Sequence, residues 1–211
     1  MITIEKTEVF GWEAAIRGLR NPMNSWDNSD SYWGGDAWNS PYYLGDNDLK
    51  LMKNLSKAGN DHGKFLRMIN VTVDITAPLY WWKEFDTYKV GTVANSCSTM
   101  HKIQEKEFTL DDFSHEHLVS TGLMSTQLLE KVIDALNLCR SMYIETKMKD
   151  WWWQMIQLLP SSYNQKRTVQ LNYQVLKQMY FSRRNHKLDE WHTLCEWMES
   201  LPYFKEICID V

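Results

Sequence analysis

The chain has 211 residues, 44% of them hydrophobic, and carries a formal net charge of −4 at pH 7 with eleven tryptophans. This length and apolar content suffice for one domain of ordinary size, which we expect to span residues 1–211. An acidic chain lacks the basic surface that duplex nucleic acid or an anionic membrane attracts, so neither is expected as a partner.

Membrane insertion and secretion are also not expected from the sequence. No apolar run approaches the ~18 residues of a membrane span, and the N-terminus lacks a basic-then-apolar signal pattern. The cysteines are widely spaced and form no C-x-x-C pair, as is typical of reduced thiols in a cytoplasmic protein. They are Cys97, Cys139, Cys195 and Cys208.

The N-terminal quarter predicts a strand over residues 2–9, a short helix from Phe10 to Leu19, and a long irregular segment over residues 21–48. A loop of this length inside a domain is usually functional or packed on a neighbouring subunit. Its aromatic rings either line a planar ligand or anchor the loop by packing. These rings belong to Trp26, Tyr32, Trp33, Trp38, Tyr42 and Tyr43.

The next stretch predicts a helix, a strand, a second helix and a loop. The first helix begins at Asp46 or Asp48 and ends at Gly59. Apolar and polar residues then alternate from Ile69 to Thr76, which indicates a half-buried strand. A helix from Pro78 to Tyr88 leads into the small polar residues GTVANSCSTMH, a loop of the kind that presents binding sites.

The C-terminal half predicts four helices whose apolar stripes serve the core or a subunit interface. They cover Ser125 to Tyr143, Trp151 to Leu159, roughly Thr168 to Ser182, and Leu188 to Leu201. Before these helices, two carboxylates and an H-x-H pair lie close together in the sequence. They could be the ligands of a metal site, or they could belong to a solvated acidic loop. No recognised zinc spacing is matched, so no metal is predicted. These four residues are Asp111, Asp112, His115 and His117.

Two motifs resemble the flavin-dependent thymidylate synthases. In that family an A-P dipeptide and an aromatic-rich helix lead into the loop R-H-R-x-x-S-x-N-E-x-S-x-R-Y. Residues 77–85 read APLYWWKEF and fit the lead-in. After one inserted residue, Asn95 and Ser98 match the loop's Asn and second Ser, and Ser96 replaces its Glu. The R-H-R positions hold Thr87, Tyr88 and Lys89.

The second motif follows the Leu159-Pro160 turn. Asn172 and Arg183 have the eleven-residue separation of the family, and His186 and an aromatic-acidic stretch come next. Gln174 replaces the Arg of the family's N-x-R. His62 is a weak match to the short His-containing turn that precedes the strand in the family. Together the resemblance covers about residues 58–192.

The resemblance implies an α+β fold with a central, mainly antiparallel sheet flanked by long helices, assembled as a homotetramer whose sites combine residues from several subunits. It also implies an enzyme that transfers a one-carbon unit from methylenetetrahydrofolate to C5 of a deoxyuridylate-type nucleotide. Reduced FAD is then the hydride donor, and NADPH is a co-substrate. In this chemistry the protein supplies positioning and electrostatics, since no protein nucleophile is needed.

The residue roles follow from the matched positions. Arg183 is the expected catalytic residue and also binds substrate, because a permanently charged guanidinium can stabilise charge building on the pyrimidine. The resemblance implies that Asn95, Ser96 and Ser98 bind the nucleotide. It implies flavin contacts for Tyr88, Lys89, Asn172, Gln174 and His186.

Three positions that hold arginines in the family hold Thr87, Met100 and Ile156 here. Lys89, Lys102, Arg167 and Arg184 are the cations available to replace them. One alternative is therefore a protein of this fold that has lost catalysis and acts as a nucleotide- or flavin-binding or assembly module. Another is a related pyrimidine-modifying enzyme, for example one that transfers a hydroxymethyl group. Cys97 reads as a small packed thiol and not as a nucleophile.

Overall fold

A computed structural model describes residues 2–35 and 41–211, so Trp38 of the aromatic segment lies outside the described residues. The strands are β1 (Thr3–Phe10), β2 (Tyr32–Trp33), β3 (Tyr42–Tyr43), β4 (Asn70–Pro78), β5 (Val93–Ser96) and β6 (Asn164–Asn172). The helices are α1 (Trp12–Arg20), α2 (Asp46–Lys57), α3 (Leu79–Phe85), α4 (Thr99–Lys102), α5 (Ser125–Thr146), α6 (Lys149–Leu158), α7 (Tyr173–Arg183) and α8 (Asp189–Ser200).

Four of the strands form one sheet in the order β1-β4-β6-β5, and β2 pairs with β3 in a separate antiparallel ribbon. The combination of an antiparallel sheet with helices confirms the predicted α+β class. The period-two pattern that predicts β4 is also confirmed. Val71, Val73 and Ile75 are at most 1% exposed, while the intervening polar residues are half-buried.

The predicted helix from Thr168 is wrong in its first turn. Residues up to Asn172 continue β6, because Val169 and Leu171 alternate with polar residues and are buried at period two. The helix begins at Tyr173, where the Asn172 side chain accepts a hydrogen bond from the Val175 N–H at 3.1 Å. The predicted polar loop likewise contains a short strand, β5, whose four residues are all exposed.

The chain divides into two compact units. The first consists of residues 2–3, 74–87 and 94–168. Its core lies where α5 and α6 pack together. The buried members of this core are Ile103, Phe108, Phe113, Leu129, Ile133, Leu136, Cys139 and Met155.

The second unit consists of residues 4–73, 88–93 and 169–211. In it α7 packs against α8, against the 3₁₀ helix Gly63–Arg67 and against the π-helical turn Lys205–Ile209. Tyr173, at the start of α7, is fully buried and donates its hydroxyl to the Pro202 carbonyl at 2.7 Å. The expectation of a single domain over residues 1–211 stays a prediction.

Segment 21–48, predicted to be irregular, contains the β2–β3 ribbon and the start of α2, and a buried ion pair joins its two ends. Arg20 Nε lies 2.7 Å from Asp48 Oδ1, and the same guanidinium donates to the carbonyls of Ser25 and Asn28. Burial alone would raise the pKa of Asp48, but hydrogen bonds from Ser31, from Ser29 and from Arg20 outweigh it and lower that pKa. Polar contacts therefore anchor this segment, in addition to the packing of its aromatic rings.

All four cysteines are free thiols. Across residues 2–35 and 41–211, no helix has both the length and the apolar character needed to cross a membrane.

Candidate functional site

Arg183 and Tyr88, 95 residues apart in the chain, meet in the second unit. Arg183 Nε donates to Tyr88 Oη at 3.0 Å, and its guanidinium carbon lies 5.6 Å from the centre of the Tyr88 ring. The same carbon lies 4.8 Å from the ring centre of Trp191, which is fully buried. The Tyr88 hydroxyl and the two aromatic rings thus help to hold the cation at the C-terminal end of α7.

His186 joins this group. Its ring centre lies 6.2 Å from that of Trp191, and its Nδ1 accepts the Leu188 N–H at 3.2 Å. The structure therefore brings together three of the residues predicted from the sequence: Tyr88, Arg183 and His186. Trp191 completes the group and was missed as a site residue. Its helical spacing on α8 predicted a core position, and nothing in that spacing distinguishes a core tryptophan from one that also supports a cation.

Asn172 lies beside the loop that carries Tyr88. Its Oδ1 caps α7, so part of its polar capacity serves the helix. Gly91 has φ +80°, and a Cβ there would come within 3.2 Å of Asn172 Nδ2 and 3.1 Å of a Val175 methyl group. The backbone of this loop therefore passes close to the start of α7 and needs glycine at that point.

The other residues predicted to contact flavin are placed differently. Gln174 is on the first turn of α7, where its Nε2 donates to Asn60 Oδ1 at 3.2 Å. Lys89 is exposed, and so is His62. Lys89 and His62 are thus on the surface of the second unit, and the Gln174 amide is engaged with Asn60.

The predicted nucleotide-binding residues belong to the first unit. Asn95 and Ser96 are exposed on β5. Ser98 precedes the four-residue α4, and its Oγ accepts the His101 N–H at 3.1 Å. Its hydroxyl thus has a local structural partner, as the Asn172 carbonyl does.

Ser98 also lines a cleft of about 270 Å³ in this unit. The cleft holds two cations, Lys102 and Lys166, of which Lys166 lies 3.2 Å from Asp74 Oδ2 and Lys102 pairs with Glu105. Its remaining lining residues are Thr76, Cys97, Thr99, Ile103, Tyr163, Asn164 and Gln165. No motif pointed to Lys166 or Asn164, because they belong to β6, which was predicted neither as a strand nor as part of a site.

Two polar groups of this cleft are buried. Asn164 Oδ1 accepts no hydrogen bond from the described part of the chain, while its Nδ2 donates to the Asp111 carbonyl at 3.4 Å. A buried acceptor without a donor costs free energy unless a ligand or water supplies one. Burial, with Asp112 nearby, raises the pKa of the Tyr163 phenol.

Two of the cations available to replace the missing arginines, Arg167 and Arg184, contact other side chains. The Arg167 guanidinium lies 4.2 Å from the Trp82 ring centre, and its Nη1 lies 2.8 Å from Asp86 Oδ1. Met100 is half exposed, and its carbonyl accepts the indole N–H of Trp152 at 3.1 Å. Arg184 lies over the Phe181 ring at the surface.

Two solved structures of the flavin-dependent thymidylate synthase ThyX from Helicobacter pylori, each complexed with FAD and dUMP, match this chain with TM-scores of 0.69 and 0.70. Their sequence identities are 17% and 16%, and the matches cover 98% and 100% of this chain and 98% of each ThyX chain. No protein-family model and no curated protein matches the sequence. The fold is that of the flavin-dependent thymidylate synthases.

The thymidylate synthase fold confirms the resemblance inferred from the two motifs, at the level of the fold. The acidic stretch that was compared with a metal site, residues 111–117, lies outside the two motifs. Two of its side chains contact neighbouring parts of the chain. Asp112 forms a capping box with Thr109 and pairs with Lys106 at 2.8 Å, and His115 Nδ1 lies 2.8 Å from the Phe113 carbonyl. Among the described residues no three His, Cys, Asp or Glu side chains converge as metal ligands would.

Proposed function

We propose that this chain binds FAD and a deoxyuridylate-type nucleotide and transfers a one-carbon unit from methylenetetrahydrofolate to C5 of the pyrimidine. The observation that supports the proposal most strongly is the guanidinium of Arg183, held by Tyr88 and Trp191 in a chain with the thymidylate synthase fold. The spacing from Asn172 to Arg183 supports it independently.

The residues around Arg183 have the chemistry that a flavin requires. An isoalloxazine ring offers planar faces and polar edges, and FAD carries a negatively charged pyrophosphate. The group formed by Tyr88, Arg183, His186 and Trp191 supplies aromatic faces, a permanent cation and imidazole nitrogens. Lys89 adds an exposed cation on the same loop as Tyr88. When bound, the reduced flavin supplies the hydride.

Arg183 then acts by charge. Carbon–carbon bond formation at C5 requires electron density to move into the pyrimidine, and negative charge builds on its carbonyl oxygens. A fixed guanidinium stabilises that charge without needing to reorganise, which is the largest contribution that a protein usually makes to such a step. Contacts with the Tyr88 and Trp191 rings limit the rotation of the Arg183 side chain, so the entropy of ordering it is lost during folding and not during the reaction.

The cleft of the first unit carries groups that suit a nucleotide. Lys102 and Lys166 offer positive charge to a phosphate, and the Ser98 and Thr99 hydroxyls offer donors. The unpaired Asn164 Oδ1 is an acceptor suited to the imide N–H of a uracil ring. We propose that these lysines replace the arginines missing at positions 87, 100 and 156.

A second candidate is a protein of this fold that binds flavin or nucleotide without turnover. The observation that favours it is the engagement of the available cations, since Arg167 is paired with Asp86 and stacked on Trp82. A hydrogen bond to a charged group contributes roughly 1.5–3 kcal/mol, so three absent arginines remove roughly 4–9 kcal/mol of binding unless other groups replace them.

One preparation tests both candidates. We expect the purified protein to carry a flavin absorbance band, and to release tritium from dUMP labelled at C5 when methylenetetrahydrofolate, FAD and NADPH are present. A flavin band without tritium release supports the second candidate. Tritium release with a nucleotide product heavier than thymidylate by one oxygen supports hydroxymethyl transfer. A colourless protein that binds no added FAD contradicts the proposal.

We further propose that the chain assembles as a homotetramer. Apolar side chains are exposed along α5, α6 and the turn between them, which indicates a surface for another subunit. These are Leu128, Leu138, Ile144, Met148 and Trp153. Light scattering after gel filtration should give a mass four times that of the 25.1 kDa chain. A monomeric mass would contradict the assembly but not the flavin chemistry.

A further inference from the structure

A second cleft, of about 660 Å³, lies within the second compact unit and is used by nothing in the proposed reaction. The β2–β3 ribbon, strand β1, the end of α8 and the turn after it form its walls. Six aromatic side chains line it: Trp12, Trp33, Tyr42, Tyr43, Trp197 and Tyr203. Its volume is within the range of small-molecule sites, which are also lined mainly by apolar and aromatic side chains.

The rings of this cleft are fixed by contacts at their polar atoms. The indole N–H of Trp33 donates to Glu13 at 2.8 Å, and that of Trp197 donates to Thr7 Oγ1 at 3.0 Å. The Tyr203 hydroxyl accepts the Leu44 N–H at 3.1 Å. Because these N–H and O–H groups already have partners, the rings contact a ligand through their π-faces.

Several of these rings meet nearly at right angles. The planes of Trp33 and Tyr42 are 74° apart with ring centres at 4.8 Å, and those of Trp12 and Tyr203 are 78° apart at 5.7 Å. The rings of Trp12 and Tyr42 are nearly parallel, 8° apart with ring centres at 6.5 Å. The cleft thus has ring faces in two perpendicular directions, an arrangement that suits a compact, roughly spherical group.

The Tyr203 backbone supports a role beyond packing. Its φ of +55° is in the left-handed region, which residues with bulky side chains rarely adopt. Such outliers cluster at sites where a side chain must point in a particular direction. Here the conformation accompanies the contact of the Tyr203 ring with Trp12.

The charge of the cleft identifies the class of ligand. Glu206 is its only charged lining residue in the described part of the chain, and its chain neighbour Lys205 pairs with Glu199 at 2.9 Å. Neither lysine nor arginine is among the described lining residues, so a phosphate or carboxylate ligand would find no partner there. Electron-rich ring faces beside a carboxylate attract a cation.

We propose that this aromatic cleft binds a small organic cation with a quaternary ammonium group, of the choline type. The methyl groups of such a cation pack against the ring faces, and its positive charge interacts with the rings and with Glu206. A primary amine holds its water more strongly and fits the cleft less well.

Calorimetry with choline and its neutral isostere 3,3-dimethylbutan-1-ol tests the proposal, because the two ligands share a shape and differ in charge. We expect choline to bind at least tenfold more tightly. Equal affinities would show an apolar cleft without cation recognition and would overturn the proposal. Tighter binding of a flat neutral aromatic such as indole would overturn it as well.

Matched variants locate the binding. Trp33→Leu should weaken choline binding at least fivefold, whereas Trp26→Leu, which removes a half-exposed tryptophan outside the cleft, should leave it unchanged. Glu206→Gln should weaken it severalfold, and Glu196→Gln on the exposed face of α8 should not. Circular dichroism and light scattering verify that each variant keeps its fold and assembly. Unchanged binding in folded Trp33→Leu would overturn the proposal, as would a change of oligomeric mass, which would make the cleft a subunit contact.

Discussion

The two regions that carry the predicted site residues differ in how those residues are supported. In the second unit, Tyr88, Arg183 and His186 come from distant parts of the chain and meet at the buried Trp191. In the first unit, Asn95 and Ser96 are exposed on β5. A cation stacked on a buried tryptophan is part of the packing of its unit, so removing it disturbs the structure as well as the chemistry. The exposed residues of β5 have no such second role. Thr87, Met100 and Ile156, at three positions where the family carries arginines, also belong to the first unit.

The largest expected effect on activity comes from Arg183 in the second unit. Arg183→Ala should lower the rate of tritium release by about 10²–10³-fold, as the loss of one preorganised charge-stabilising donor does in other enzymes. Arg183→Lys should not restore it, because an ammonium lacks the planar stacking of guanidinium. Initial rates at saturating nucleotide measure both.

Arg184→Ala is the matched control, since Arg184 adjoins Arg183 but lies over the surface ring of Phe181. It should retain full activity. A wild-type rate of tritium release in a folded Arg183→Ala variant would contradict the proposed role of Arg183. An equal loss of rate in Arg184→Ala would show that the rate depends on the overall positive charge and not on the position of Arg183.

In the first unit, a substitution should increase the affinity for dUMP. Met100→Arg places a guanidinium where the resemblance expects one to hold the phosphate, and a charge-assisted hydrogen bond there contributes roughly 1.5–3 kcal/mol. The affinity for dUMP should rise about 10- to 150-fold, measured by calorimetry. Met23→Arg adds the same charge at an exposed site elsewhere and should leave the affinity unchanged. No gain in Met100→Arg would mean that the phosphate does not bind near this loop.

Removing the exposed cation of the first-unit cleft should have a smaller effect. Lys102→Ala should weaken dUMP binding by about three- to tenfold, because an exposed charge is screened by water and salt. The loss should shrink as the salt concentration rises. Lys131→Ala, on the exposed face of α5, serves as the control. Identical dUMP affinities in the two variants would count against Lys102 as a phosphate ligand.

The smallest effects concern the two capping side chains. Asn172→Ala should lower the free energy of unfolding by about 1 kcal/mol, the usual cost of losing an N-cap, as measured by urea denaturation. Asn172→Ser keeps a capping oxygen and should restore the stability. Ser98→Ala should cost less, because α4 has only four residues.

Flavin retention separates the two roles of Asn172. If Asn172→Ser restores stability but not flavin binding, the amide contacts the cofactor as the resemblance implies. Recovery of both would assign the residue to the helix alone.

The secondary structure was predictable wherever a periodic pattern was long. The alternation from Ile69 to Thr76 predicted β4, and the stripe beginning at Ser125 predicted α5, because one buried face imposes its own period on the sequence. Strand β6 was missed because its apolar residues, Val169 and Leu171, run directly into the apolar face of α7. Strand β5 was missed because all of its residues are exposed, so no burial pattern marks it.

The sequence by itself predicted the thymidylate synthase fold and singled out Arg183, Tyr88 and His186 by their places in the two motifs. It also showed that arginine is absent from three family positions. These features were accessible because motifs and spacings are local properties of the chain. Only the tertiary structure decided that Trp191 supports Arg183, that Lys166 and Asn164 line a cleft with Ser98, and that an acidic aromatic cleft lies elsewhere. These features depend on contacts between residues far apart in the chain. The packing of buried faces sets such contacts, and no single segment encodes them.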